Sequence, residues 1–119
     1  MIEDIFALAD QIRYVAIYRN ELLQSRSKEG TENESGSESD RYEELLVNPT
    51  LLKLAAQRGN IDCGGLEYLM VRYGNFFQFV LPTAWGHVSV CIEKEADPID
   101  IGLRVKMLVE NEKVGEPAR

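Results

Sequence analysis

Chemically reactive side chains are scarce in this sequence: one histidine, His87, and two cysteines, Cys63 and Cys91, supply all of its imidazole and thiol. A closed structural zinc site needs four ligands, and these three residues show no paired CxxC spacing, so no metal is expected. A nucleophile and base must lie within hydrogen-bond reach, yet His87 and Cys91 on one strand stand about 13 Å apart at 3.3 Å per residue. Cys63 could approach His87 only across a sheet, and ordinary structural or surface roles are expected for all three. Glycines at 59, 64 and 65 build neither GxGxxG nor GxxxxGK[ST], so no nucleotide cofactor is indicated either. No catalytic residue, cofactor or metal follows from the sequence, and the chain is expected not to be an enzyme.

Long apolar runs are missing as well. None approaches the roughly 20 residues that span a bilayer, which argues against membrane insertion. The start, Met1-Ile2-Glu3-Asp4, is acidic where a secretory signal would be basic, so a cytoplasmic location with reduced thiols is expected. Positive charge is in short supply: 13 Lys and Arg stand against 20 Asp and Glu, a formal charge of −7, and no basic patch offsets it. Nucleic acid is therefore not an expected partner, because such binding neutralises phosphates with cations.

What the chain does have is patterned. Its 119 residues, 45% hydrophobic, suit one globular domain spanning 1–119. Ile2, Ile5, Phe6 and Ala9, extended by Leu8 and Ile12, predict a short helix over 2–11. Tyr14 to Arg19 and Leu22 to Arg26 predict a hairpin turning at Asn20-Glu21. Tyr42, Leu45 and Leu46 resume apolar periodicity. Asn48-Pro49 is read as a cap and first residue of a second helix carrying Leu51, Leu52, Ala55 and Ala56 to a C-terminal cap at Gly59.

Gly64 and Gly65 then lead into three strands. Leu66 to Tyr73 turns at Gly74-Asn75, a pair able to take positive φ. Phe76 to Leu81 is expected to stop at Pro82, and His87 to Lys94 alternates Val88, Val90 and Ile92 against a mixed face. Asp97 and Pro98 open a last helix, with Asp100 in its first turn. Ile101, Val105, Leu108 and Val109 form its buried stripe, and Arg104, Lys106, Glu110 and Glu112 face water.

Between Ser25 and Ser39 there is no apolar residue. Such a stretch cannot offset its ordering entropy by burial, so 27–40 is expected to be a mobile acidic loop; Ser35, Ser37 and Ser39 among its acidic residues are candidate phosphorylation sites on composition only.

The order is α-β-β-α-β-β-β-α: an α+β domain with a five-stranded antiparallel sheet and helices on both faces. This layout resembles the roadblock (dynein light chain) family, within the roadblock, longin and profilin-like group of α+β domains. At residue level the likeness lies in the hairpin Tyr68 to Pro82, the strand Gly86 to Glu93 and the stretch from Ala96 to Arg104. The resemblance implies a noncatalytic adaptor or scaffold that forms a homodimer or pairs with a related chain, often in the regulation of a small Ras-like GTPase. The strand Leu66 to Tyr73 would pair across a twofold axis and the second helix would lie beside its mate. The implied interface residues are Leu66, Tyr68, Leu69, Met70, Val71, Tyr73, Leu52, Ala55 and Ala56. The long acidic insertion Ser27 to Asp40 departs from the family pattern.

Two further features bear on function. Tyr68, Tyr73, Phe76, Phe77, Phe79 and Trp85 are expected in the core or at a subunit interface, although they could line a ligand pocket. A long apolar edge strand left open invites aggregation, so pairing it with another copy has a reason of its own. The alternative to an adaptor is a small-molecule sensor of similar topology, its pocket lying between the sheet and one helix.

Overall fold

The computed structural model describes residues 1–28 and 37–115. In chain order they form α1 (Ile2–Phe6), β1 (Ile12–Arg19), β2 (Leu22–Ser27), α2 (Ser37–Tyr42), a π-helical turn (Glu43–Val47), α3 (Asn48–Asp62), β3 (Leu69–Arg72), β4 (Phe76–Thr83), β5 (Gly86–Glu93) and α4 (Pro98–Gly115). The strands make one antiparallel open sheet in the order β2-β1-β5-β4-β3, so the domain is α+β with β2 and β3 at its edges. No helix among the described residues is long and apolar enough to cross a membrane.

The two sheet faces differ in chemistry. Register places Val15, Val90, Phe79 and Met70 in one row across the sheet, with Ile17, Val88 and Leu81 in the next on the same side. These residues meet Ile5 of α1 and Ile101, Val105 and Val109 of α4 in the main core. Each such side chain contributes about 1.5–3 kcal/mol when fully buried, so this face supplies most of the hydrophobic stabilisation. α4 begins as its sequence implies: Asp97 Oδ1 accepts the Asp100 N–H at 3.1 Å, a side-chain cap. On the opposite face the rows read Tyr14, Cys91, Gln78, Val71 and Ala16, Ser89, Val80, Leu69, and the π-helical turn and α3 lie over this more polar surface.

Several local expectations are corrected. The first helix ends at Phe6, and Ile12, expected on its stripe, instead opens β1 opposite Ile92. Asn48-Pro49 opens α3 as expected, with Pro49 in its first turn, but Asn48 is not a cap, because the chain is already helical from Ser37 and both Val47 and Asn48 have right-handed helical angles. Pro49 has no N–H and its ring crowds the carbonyl four residues back. A widened turn just before it, in which the Asn48 N–H reaches back to the Glu43 carbonyl, accommodates that conflict. Gly59 is not the C-terminal cap: α3 continues to Asp62, and the Gly59 carbonyl accepts from Cys63 and Gly65 at 3.1 and 3.0 Å. A Cβ at Gly59 would press on the Gly65–Leu66 backbone, so its lack of a side chain serves close packing of the connector. Of the expected mobile loop at 27–40, Ser27 closes β2 and Ser37 to Asp40 are helical, while 29–36, with Ser35, lie outside the described residues.

In the sheet, β3 covers Leu69 to Arg72 where Leu66 to Tyr73 was expected, since the folded-back connector delays its start and the Tyr73 N–H already closes the turn onto the Phe76 carbonyl. That turn at Gly74-Asn75 forms without positive φ; it is Asn20 and Glu21, at 51° and 73°, that take left-handed angles in the first hairpin. Pro82 does not end its strand. It pairs with His87, and the β3–β4 ladder does not reach it, since β3 begins at Leu69 opposite Val80, so on that side the missing N–H has no partner strand to lose.

Gly86 opens β5 at φ 151°, and a Cβ there would overlap the Tyr18 carbonyl oxygen. Gly86→Ala is expected to destabilise the domain by about 3 kcal/mol, measured as a lowered urea midpoint, because neither backbone can yield without breaking the β1–β5 register.

Candidate functional site

The second sheet face carries a connected set of buried polar groups. Gln78, His87 and Ser89 are buried on β4 and β5, and Glu44 and Asn48 are buried above them on the helical run. Glu44 and Asn48 are four residues apart, so both point the same way from a helix, and Asn48 Nδ2 donates to Glu44 Oε1 at 3.0 Å. The same Oε1 shares a 2.8 Å hydrogen bond with His87 Nε2, at 0% and 2% side-chain exposure. Tyr18 stacks on the His87 ring at 5.5 Å. Beside this pair the Cys91 thiol donates to Gln78 Oε1 at 3.2 Å, and Gln78 Nε2 donates to the Ser89 hydroxyl.

The His87–Glu44 pair was not legible in sequence. Tyr42, Leu45 and Leu46 read as the inward residues of this segment, but all three are exposed and Glu44 and Asn48 are buried instead. The available signal was His87, Ser89 and Cys91 alternating on a strand whose other face is wholly apolar, a row that demands polar partners from whatever covers it. His87 is thus held by Glu44, Cys91 lies buried, and Cys63 stands exposed at the end of α3 beside Asp62. Burial, then the charges of Glu44 and Asp40, push the Cys91 thiol well above its ordinary 9.0, which opposes formation of a nucleophilic thiolate.

The residues implied for an interface divide by position. Met70 and Tyr68 turn toward the main core, where Tyr68 lies 5.3 Å from Phe79, and Leu52 is buried under α3. Leu66, Leu69, Val71, Ala55 and Ala56 are half-buried and Tyr73 is exposed. Sequence reading missed the larger apolar surface on the outside of the helical run, where Leu54 is 59% and Ile61 75% exposed, with Leu45, Leu46 and Leu51 also accessible. The aromatics separate likewise: Phe77, Phe79 and Trp85 belong to the main core, whereas Phe76 and Tyr73 meet edge to face on the other side. There, with Tyr14, Glu43, Glu44 and Gln78, they border a cavity of about 660 Å³ between the sheet and the start of the helical run.

Removing one member of a buried hydrogen-bonded pair strands the other. Glu44→Ala is expected to cost roughly 3–5 kcal/mol in urea unfolding, with Glu44→Met/His87→Leu recovering much of the loss. A second outcome concerns pH. Burial also raises the Tyr14 phenol above its ordinary 10.0. Cys91 and Tyr14 lose their protons first in the unfolded chain, so native stability falls as pH rises through 9.0 and 10.0. Urea midpoints from neutral to alkaline pH should therefore decline, and the slope should be shallower in Cys91→Ala.

No protein-family model and no curated protein matches this chain, so a functional reading rests on its own geometry.

Proposed function

We propose that this chain is a roadblock-like, noncatalytic protein-binding adaptor that acts as a dimer, with a small Ras-like GTPase as its class of partner. The observation that carries this reading is the apolar outer surface of the helical run, where Leu45 and Leu46 of the π-helical turn and Leu51, Leu54 and Ile61 of α3 are all exposed. Single exposed leucines are ordinary on protein surfaces, but a row of them along one helical run marks a surface that another chain covers. β3 adds an unpaired ladder at the sheet edge, carrying half-buried Leu69 and Val71. Strand pairing across a twofold axis would satisfy that edge and bring a second α3 alongside the first.

A noncatalytic role is in keeping with the chemistry of the reactive residues. His87 is engaged by Glu44, and the Cys91 thiol is held in its protonated form.

Sedimentation equilibrium over a wide concentration range tests the dimer. The wild-type chain is expected to be dimeric. Val71→Lys and Leu54→Lys should each shift it to monomer, because a lysine in a buried contact leaves an unpaired charge there. Leu54→Lys should leave the monomer fold intact, since that side chain is exposed within one chain. A strictly monomeric wild-type chain would overturn the dimer, and purified Ras-like GTPases loaded with GDP or a GTP analogue then test the partner class directly.

A further inference from the structure

The cavity between the second sheet face and the helical run is used by nothing in the adaptor reading. Its volume of about 660 Å³ lies in the range of pockets that hold small organic ligands. The wall on the helical side is acidic, built by Asp40, Glu43 and Glu44. Glu44 is fully buried, and while its Oε1 takes hydrogen bonds from both His87 and Asn48, its Oε2 has no hydrogen-bond partner among the described residues. Glu43 Oε2 is buried and unpartnered in the same way among the described residues. An unmade hydrogen bond at a buried acceptor costs about 1–3 kcal/mol, and native structures rarely leave several together.

The missing groups are donors, and they are missing on the acidic helical side, since the cations that border the cavity, Arg13 over the Phe76 ring and Lys94, belong to the sheet side. Burial, together with the neighbouring charges of Glu44 and Asp40, raises the Glu43 carboxyl above its ordinary value. Negative charge is therefore already crowded on this wall, and a cation would relieve it. Among the described residues no three of His, Cys, Asp and Glu gather as a metal ion would require. A cation that carries its own N–H groups would supply the donors that these carboxylate oxygens lack. Phe76 and Tyr73, with ring centroids 5.5 Å apart and nearly perpendicular, offer apolar surface for the body of such a molecule. Lys94 also borders the cavity and suits an anionic group at the ligand's far end.

We propose that this cavity binds a small organic cation whose ammonium or guanidinium head donates hydrogen bonds to Glu44 Oε2 and Glu43. The proposal stands apart from the adaptor reading: a monomer could bind such a ligand, and a dimer could fail to.

Calorimetric titration of the full chain with agmatine, arginine and putrescine tests it, with glutarate and magnesium chloride as controls. Saturable one-to-one binding of at least one of the three amines is expected, with a raised Tm and amide shifts at Glu43, Glu44, Phe76 and Gln78. Glu43→Gln should weaken that binding by about tenfold or more, the loss of one charge-assisted hydrogen bond, while leaving the ligand-free Tm equal to or above that of the wild type. Arginine binding more tightly than agmatine would support the role of Lys94, and Lys94→Met should then abolish the difference. The proposal is overturned if none of the amines saturates at millimolar concentration, if glutarate or magnesium binds as well as they do, or if Glu43→Gln leaves the affinity unchanged.

Discussion

Burying a carboxyl against an imidazole constrains everything that lies over the second sheet face. Glu44 and His87 lose their water together, and each is tolerable there only because the other is present and because Asn48 completes the arrangement. With Glu44 and Asn48 both fixed inward, Leu45 and Leu46 between them fall on the flank and outer face of the same turn, where both are exposed. The exposed leucines are in this sense a geometric consequence of the polar contact beneath them.

The pair is not a strong source of net stability, since a well-packed apolar substitute often does as well in a protein interior. Its effect is positional. Sliding the helical run by one residue would leave His87, Glu44 and Asn48 buried without partners, so only one placement over the sheet is satisfied. The π-helical turn belongs to the same constraint. Its extra residue per turn accommodates Pro49 and lets Glu44 reach His87 while Leu52, farther along, is also buried. The main core on the other face is held by ordinary aliphatic packing and demands no comparable exactness in polar contacts.

Legibility followed the same division. The hairpin over Tyr14 to Arg26 was readable from β propensity and its turn residues, and the alternation of Val88, Val90 and Ile92 and the stripe of Ile101, Val105 and Val109 were readable because apolar periodicity and burial agree there. The segment from Tyr42 to Gly59 misled for the opposite reason. Tyr42, Leu45, Leu46, Leu51 and Leu54 face outward, Asn48 uses its carboxamide on Glu44 when sequence habit assigns it to a cap, and Gly59 packs a connector where a helix end was expected. Of the candidate site, His87 and Cys91 were visible as isolated residues, and Tyr73 and Phe76 as aromatics able to line a pocket. Glu44, the residue that joins the polar contact to the cavity, was not.

By itself, the sequence determined the α+β class, the order of its elements and the identity of the main core, because those depend on local periodicity and turn chemistry. It also restricted the chemistry on offer, through its single imidazole and two thiols. Only the tertiary structure decided which face of the middle helical run lies inward, where β3 begins, and that Glu44, Gln78, Ser89 and His87 share one buried layer. Those outcomes depend on pairs far apart in the chain, such as Glu44 with His87. A buried polar group finds its partner by position in space, and no local pattern in the chain encodes that position.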